Sequence, residues 1–368
     1  MLRRVQVQKE LPSLSQPYTS MRSDSVLLYG ANGYTGALIA KYSAQYGLQL
    51  VLAGRREEAI KPLANELNLP YKIIDINNAG QLKEALNDVK VVIHAAGPFA
   101  DTASQMIDAC LLTGTHYLDI NGDISVFEMI QRYDAAAQEK NIMLLPGAGF
   151  DVVPTDCMAL RLKNKLPDAT HLKLAFASIG GGVSHGTAMT MVSKLGYGGA
   201  ARKNGKVVRQ ALGKEGMWVD FGEKRLFVMS IPWGDVFTAY HTTGIPNIQV
   251  FTAVKRGVYR MMKLQKTFNW LLRMEWIKSI IREKIKSRPA GPSDEMRSKA
   301  KSFIWGEVKN EKGEVVSDHF TCADGYTLTA YSCLLIARKV LAENFKAGYQ
   351  TPAACYGEEL VKEISGTD

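Results

Sequence analysis

Between residues 25 and 150 the chain repeats one pattern: a short apolar run, then a longer amphipathic stretch. The runs are SVLLYG, LQLVLAG, YKIIDI, KVVIHAAG, HYLDI and NIMLLPG; segments such as EEAIKPLANELN and DTASQMIDACLLTG between them have helical spacing. Strands that are apolar almost throughout are buried on both faces. Strands joined by helices must cross over with one hand, so the pattern predicts a parallel sheet with helices on both sides. The expected fold class is α/β, a doubly wound sheet over residues 22–150.

The junction after the first run narrows this further. Residues 27–36 read LLYGANGYTG, with glycines at 30, 33 and 36. In a strand–turn–helix unit the first glycine allows the tight turn, the second lets backbone amides approach a diphosphate, and the third lets helix and strand pack closely. The helix that follows offers unpaired N–H groups and the positive end of its dipole to an anion. Gly30, Ala31, Asn32, Gly33, Tyr34, Thr35 and Gly36 are therefore candidate dinucleotide-binding residues of a Rossmann domain, although the spacing is GxxGxxG rather than GxGxxG. The second run ends LAGRR, where sites that prefer the unphosphorylated dinucleotide carry a carboxylate for the ribose hydroxyl. Arg55 and Arg56 suit a 2′-phosphate instead, so NADP(H) is the expected cofactor. Glu57 and Glu58 follow directly and keep open a plain surface role for both arginines. Asp75, at the end of the third run, is placed near the adenine or at a helix cap. Ala96, Gly97 and Pro98 at the end of the fourth are small enough to let a cofactor lie close. His94 belongs inside that strand.

After Phe150 the style changes. Residues 171–180, 225–233 and much of 236–254 read as strands, and 307–316 as a hairpin turning at Asn310–Gly313. This predicts an α+β substrate domain over 151–323, followed by a C-terminal helix and tail over 324–368 that can pack back on the first domain. The chain has 368 residues, 46% of them hydrophobic, which is ample for two domains. No apolar run approaches a membrane span. The first two dozen residues lack a secretory h-region, and Met21 is a candidate start. Five scattered cysteines without CxxC, and six histidines without HxxxH, point to reduced thiols in a cytoplasmic protein with no metal site.

Three segments together, GANGYTG, VVIHAAGPFADTASQMIDACLLTGTHYLDINGD and LLPGAGFDVVPTDCMALRL, resemble the saccharopine dehydrogenase-like oxidoreductases. SHGTAMTM, GPSDEMRSKAKSFIWGEV, DGYTLTA and GYQTPAACYG resemble the branch of that family containing the trans-acting enoyl reductases of bacterial lipid synthesis. The resemblance covers residues from about 25 to 365 and implies a Rossmann domain, NADP(H) and reductase chemistry. Where the family has Gly-Glu after HYxD, this chain has Gly122-Asp123.

Hydride transfer requires positioning and a proton source. Candidates at the carboxyl ends of strands are Tyr117 and Asp151, the latter with a turn or cap as its bland alternative. His185, after a glycine triplet, is a third candidate donor, with Ser184 and Thr187 as carbonyl-binding or helix-capping neighbours. Tyr259 and Lys263 match YxxxK but lie too late in the chain for that chemistry. The expected function is an NADP(H)-dependent oxidoreductase reducing a C=C or C=N bond of an apolar, lipid-derived small molecule. The alternatives are a membrane-surface nucleotide-binding scaffold without turnover and a saccharopine-type amino-acid dehydrogenase. The latter would need clustered cations, and Arg202 and Lys203 are the obvious pair.

Residues 255–301 hold 14 Lys/Arg and 4 Asp/Glu, so this segment is +10 while the whole chain is +9. Within it, Met261, Leu264, Phe268 and Leu271/Leu272, and then Trp276/Ile277, Ile280/Ile281 and Ile285, recur at helical spacing. Basic amphipathic helices of this kind suit an anionic lipid surface, so peripheral membrane contact through 255–290 is expected. A lid or homodimer face is the alternative. No recognition fold for nucleic acid surrounds the charge.

Overall fold

A computed structural model describes residues 23–264 and 269–368. Met21 and Phe268 lie outside the described residues. The first domain is built from β1 (Ser23–Tyr29), α1 (Tyr34–Tyr42), β2 (Leu50–Gly54), α2 (Glu57–Leu67), β3 (Tyr71–Ile73), α3 (Ala79–Asn87), β4 (Val89–His94), α4 (Phe99–Thr113), β5 (His116–Asp119), α5 (Ile124–Gln131), α6 (Asp134–Glu139) and β6 (Met143–Leu145). All strand pairs are parallel, in the order β6-β5-β4-β1-β2-β3. The sequence order reverses between β1 and β4, which places a ligand crevice at the carboxyl ends of those strands.

Alternation along the strands divides the core in two. Leu27 and Val92 face one set of helices with Ile107 and Phe127. Leu28 and Ile93 face the other way, into a core that continues through Met158 and Leu334 to Leu174 and Ile304 of the second domain. Each such fully buried aliphatic side chain contributes about 1.5–3 kcal/mol, so this shared core holds the two domains together.

The second domain begins with α7 (Val153–Lys165), β7 (His171–Ile179), α8 (His185–Ser193), β8 (Gly199–Lys203), β9 (Lys206–Gln210), β10 (Gly216–Asp220), β11 (Arg225–Ile231), α9 (Asp235–Thr243) and β12 (Asn247–Ala253). It continues with α10 (Arg256–Leu264), α11 (Asn269–Leu272), α12 (Glu275–Lys286), α13 (Asp294–Lys299), β13 (Lys301–Lys309) and β14 (Val315–Ala323). Its mixed sheet runs β10-β11-β12-β7-β13-β14, with the β8–β9 hairpin attached at β12. β13 and β14 form the expected hairpin, closed by the Gly313 amide on the Asn310 carbonyl at 3.2 Å.

One expectation fails in this domain. Residues 236–243 form helix α9, and only 247–253 form a strand. The β-branched and aromatic residues of VFTAYHTT suggested a strand. However, Val236, Phe237, Ala239 and Thr243 are buried at helical spacing, and Gly234 and Gly244 bracket the segment.

The chain then returns to the first domain. α14 (Gly325–Leu341) packs on α1 and β4, and β15 (Gly348–Tyr349) adds to the first sheet beside β6. α15 (Pro352–Tyr356) follows. Phe345, past the end of α14, meets His116 edge-on with centroids 4.3 Å apart.

Candidate active site

The glycine loop has the geometry that phosphate binding requires. Gly30 has φ +87°, and a Cβ there would lie 2.8 Å from the backbone of Ala95 and Ala96. At Gly36 a Cβ would collide with the Gly30 carbonyl and sit 2.9 Å from Ala31 Cα. Strand, loop and helix thus meet at their closest approach. α1 starts at Gly33 without a side-chain cap, and Asn32 and Gly33 are exposed, so the helix end is left open to an external anion. Arg55 is exposed at the end of β2 and makes no ion pair among the described residues, whereas Arg56 has only a loose 3.9 Å contact with Glu58. Glu57 is committed to Lys61 and Tyr71, so it leaves the neighbouring guanidinium free. These features fit NADP: the 30–36 backbone for the diphosphate, Arg55 for the 2′-phosphate, and Ala96, Gly97 and Pro98 as the half-open floor beside β4.

Two of the candidate cofactor side chains turn to other tasks. Asp75 accepts from the amide and side chain of Asn77, forming a turn, and the cap of α3 is Asn78 instead. Tyr34 donates its hydroxyl to the Pro292 carbonyl at 2.6 Å and accepts from Arg297 at 2.8 Å. Its ring meets Tyr326 edge-on. Only its backbone remains available to a phosphate. Tyr326 in turn accepts from the Ser184 amide at 2.6 Å and contacts Thr187, so the start of α8 is fastened beside the glycine loop.

The proton-donor candidates separate clearly. Tyr117 is fully buried; burial and the neighbouring Asp119 carboxylate push its hydroxyl well up, and it donates to Asp119 at 2.8 Å. It cannot reach a substrate. Asp119 also receives the Asn121 and Gly147 amides, a latch that fixes the β5 and β6 loops. His185 bonds the Arg288 carbonyl through Nε2 at 2.8 Å, and its own amide donates to Ala290. It pins α8 to the end of α12 rather than facing the crevice. Ser184 caps α8 through the Thr187 amide. His94 lies inside β4, and burial lowers it to about 3, so it stays neutral.

Asp151 remains. It follows β6 at the carboxyl edge of the sheet, half-buried, with its carboxyl against Gly122 and its carbonyl held by Trp233 Nε1 at 2.8 Å. Burial raises it to about 6, and Lys194 acts in the opposite direction. Lys194 itself pairs with Asp123 at 2.8 Å. Burial works against the charge on Asp123, yet Lys194 and the Ser125 amide outweigh it and hold the carboxyl below its usual range. The shorter residue at the family's Gly-Glu position thus caps α5 and anchors Lys194. Around Asp151, Phe150 stacks edge-on against Phe176, and Phe176 against Trp233, with centroids 5.8 and 4.8 Å apart. The wall over the sheet edge is aromatic.

Lys194, Trp233 and Asp235 had no local signature. Asp235 is fully buried, and burial pushes it well up, with Thr155 beside it acting in the opposite direction. Asp156, read as helix-start chemistry, is also fully buried and raised to about 6; it accepts from Thr242 and the Ala353 amide. Arg202 donates to the Val236 and Gly205 carbonyls and stacks on Tyr240 at 4.1 Å, so it does not serve a cleft. Lys263 lies over the Tyr259 ring at 4.9 Å, a surface contact within α10. All five cysteines are free, and burial raises Cys322 to about 12. No cluster of metal-ligating side chains occurs among the described residues.

Residues 26–145 match the family model described as the saccharopine dehydrogenase NADP binding domain. This stretch is thus similar to a saccharopine dehydrogenase NADP-binding domain. Curated relatives extend the resemblance to the saccharopine dehydrogenase-like and enoyl reductase proteins. The chain is 28% identical over 206 residues to the lipid droplet localized protein of Caenorhabditis elegans, covering 51% of this chain and 48% of that protein. It is 26% identical over 210 residues to the saccharopine dehydrogenase-like oxidoreductase of Mus musculus, covering 50% and 49%. Identity to the trans-acting enoyl reductase of Mycobacterium ulcerans is 25% over 146 residues, covering 38% and 35%. The chain spans about half the length, or less, of these curated relatives. Beyond the NADP-binding domain, the saccharopine dehydrogenase (L-Glu forming) of Saccharomyces cerevisiae shares the fold at TM-score 0.65 and 12% identity, covering 92% of this chain and 96% of that one.

Proposed function

We propose that the chain is an NADP(H)-dependent oxidoreductase that reduces a C=C or C=N bond in an apolar, lipid-derived substrate. The observation that carries this reading is Asp151: a carboxyl raised to about 6 by burial, set beside the aromatic wall of Phe150, Phe176 and Trp233 at the carboxyl edge of the NADP-binding sheet. A carboxylic acid raised to about 6 keeps its proton into mildly acidic solution and is a suitable general acid there. When bound, NADPH supplies a hydride. Asp151 delivers a proton to the atom left electron-rich, the α-carbon of an enoyl thioester or the nitrogen of an imine, and regains it from solvent. Lys194 steadies the carboxylate formed in between. The aromatic wall excludes water and favours an apolar chain over a charged amino acid. The engagement of Arg202 with backbone carbonyls further weakens the amino-acid reading. The relatives named for lipid droplets and enoyl reduction support the same substrate class.

The test is NADPH consumption with a series of enoyl thioesters and imines of increasing chain length. Turnover that improves with chain length is expected. Tight NADPH binding without turnover on any of them would favour the nucleotide-binding scaffold.

A further inference from the structure

We propose that the face formed by α8 and α12 docks on an anionic phospholipid bilayer. α12 places Trp276 and Ile280 one turn apart, with Lys284 a turn further on, and Ile277, Ile281 and Ile285 in the adjoining rows. Ile285 is buried, but Trp276 and Ile280 are 57% and 54% exposed. Across from Ile281 and Ile285, Val183 and Met191 are 52% and 55% exposed. Between the two helices lies an apolar groove of ≈ 300 Å³, lined by Val183, Met191, Ile281 and Ile285 and carrying Lys284 and Arg288. Large apolar side chains gathered on one face, rather than scattered, mark an interaction surface.

The charge around the groove says which partner. The segment is +10 in a chain that is otherwise close to neutral. Some of its cations are used internally: Lys278 and Arg273 hold the carbonyls of Ser193 and Gly196, and Arg282 pairs with Glu275. Lys284 and Arg288, beside the groove, have no carboxylate partner among the described residues. An apolar face with tryptophan and unpaired cations at its margin matches the boundary between acyl chains and anionic headgroups, where tryptophan and long cationic stems both settle. A protein partner would have to present a surface both greasy and acidic; an anionic bilayer presents this everywhere.

The face is also coupled to the active site. His185 fastens α8 to the Arg288 carbonyl, while Ser184, one residue earlier, is fastened through Tyr326 beside the glycine loop. A bilayer contact here thus reaches the same start of α8 that Tyr326 holds beside the glycine loop. The inference stands on the surface itself and does not depend on the proposed reduction.

The test is flotation of the full chain with vesicles of pure phosphatidylcholine and of phosphatidylcholine with phosphatidylglycerol. Binding is expected only with the anionic lipid and is expected to weaken with salt. Lys284→Glu with Arg288→Glu should lower partition by roughly tenfold or more. Trp276→Ala with Ile280→Ala should lower it similarly and remove a tryptophan blue shift on binding. Unchanged NADPH affinity serves as the folding control for both variants. Three results would overturn the proposal: no binding to anionic vesicles, equal binding to neutral ones, or a concentration-dependent dimer in the ultracentrifuge that Trp276→Ala with Ile280→Ala abolishes. The last would make the face a contact between copies.

Discussion

The two sheets of this molecule present their chemistry in opposite ways. The parallel sheet gathers it at one edge, from loops that directly follow its own strands: residues 30–36 after β1, 55–56 after β2 and 95–98 after β4. The mixed sheet contributes single residues from distant places, namely Phe176 on β7, Lys194 past α8 and Trp233 before α9. The first arrangement is what a fixed ligand demands. A diphosphate needs backbone amides and close approach, and both follow from local glycines. The second shapes the space over Asp151, which local sequence does not specify. The difference teaches that the cofactor half should respond to point changes as a local unit, and the substrate half as an assembly.

The largest effect expected from breaking this division is at Asp151, where the halves meet. Asp151→Asn should reduce the rate of NADPH oxidation by roughly 10²- to 10⁴-fold while leaving NADPH affinity, measured by calorimetry, within error. A parallel loss of affinity would place the residue in the cofactor site instead. Next in size, Arg55→Ala should weaken NADPH roughly tenfold to a hundredfold, the worth of one charge-assisted contact, with NADH affinity unchanged. Equal losses for both nucleotides would mean that Arg55 does not read the 2′-phosphate.

Gly36→Ala sharpens the local claim. The added methyl meets the Gly30 carbonyl and Ala31, so denaturant unfolding should show a loss of about 1–3 kcal/mol, together with weaker NADPH binding. The smallest expected effect lies in the second domain. Burial raises Asp119, Asp151 and Asp156 to about 6 and Asp235 well up. Such groups bind protons more tightly in the folded state than in the unfolded one. Their stability contribution is therefore complete below the unfolded pKa of about 4 and is lost as pH rises through the folded values. Asp235→Asn removes one of these titrations, so its melting temperature relative to the parent should be a few degrees higher at pH 8 than at pH 5. An offset independent of pH would show that Asp235 does not titrate on unfolding.

The same division explains what could be read from the residues alone. The alternating runs carried the parallel sheet because strands buried on both faces leave a continuous apolar record. The close strand–turn–helix approach at residues 30–36 was legible because local glycines set it, and the place of Arg55 because it directly follows β2. Asp151 was visible as a strand-end carboxylate, but its raised protonation depends on burial by residues far away in sequence. Lys194, Trp233 and Asp235 left no trace for the same reason. Tyr117 and His185 were misplaced because a strand end and a glycine-rich loop do not reveal where a side chain bonds. Asp119 and the Arg288 carbonyl capture them. Residues 236–243 looked like a strand because composition outweighed a period that only Gly234 and Gly244 delimit.

The most direct test of the central claim is the pH dependence of single-turnover NADPH oxidation with a long-chain enoyl thioester, for the parent chain and for Asp151→Asn. The parent rate should fall as pH rises through about 6, where the protonated donor is lost, and the variant should be slow and lack that limb. A variant with the parent's rate and profile, or a parent that oxidises no NADPH at any pH with any thioester or imine, would contradict the account.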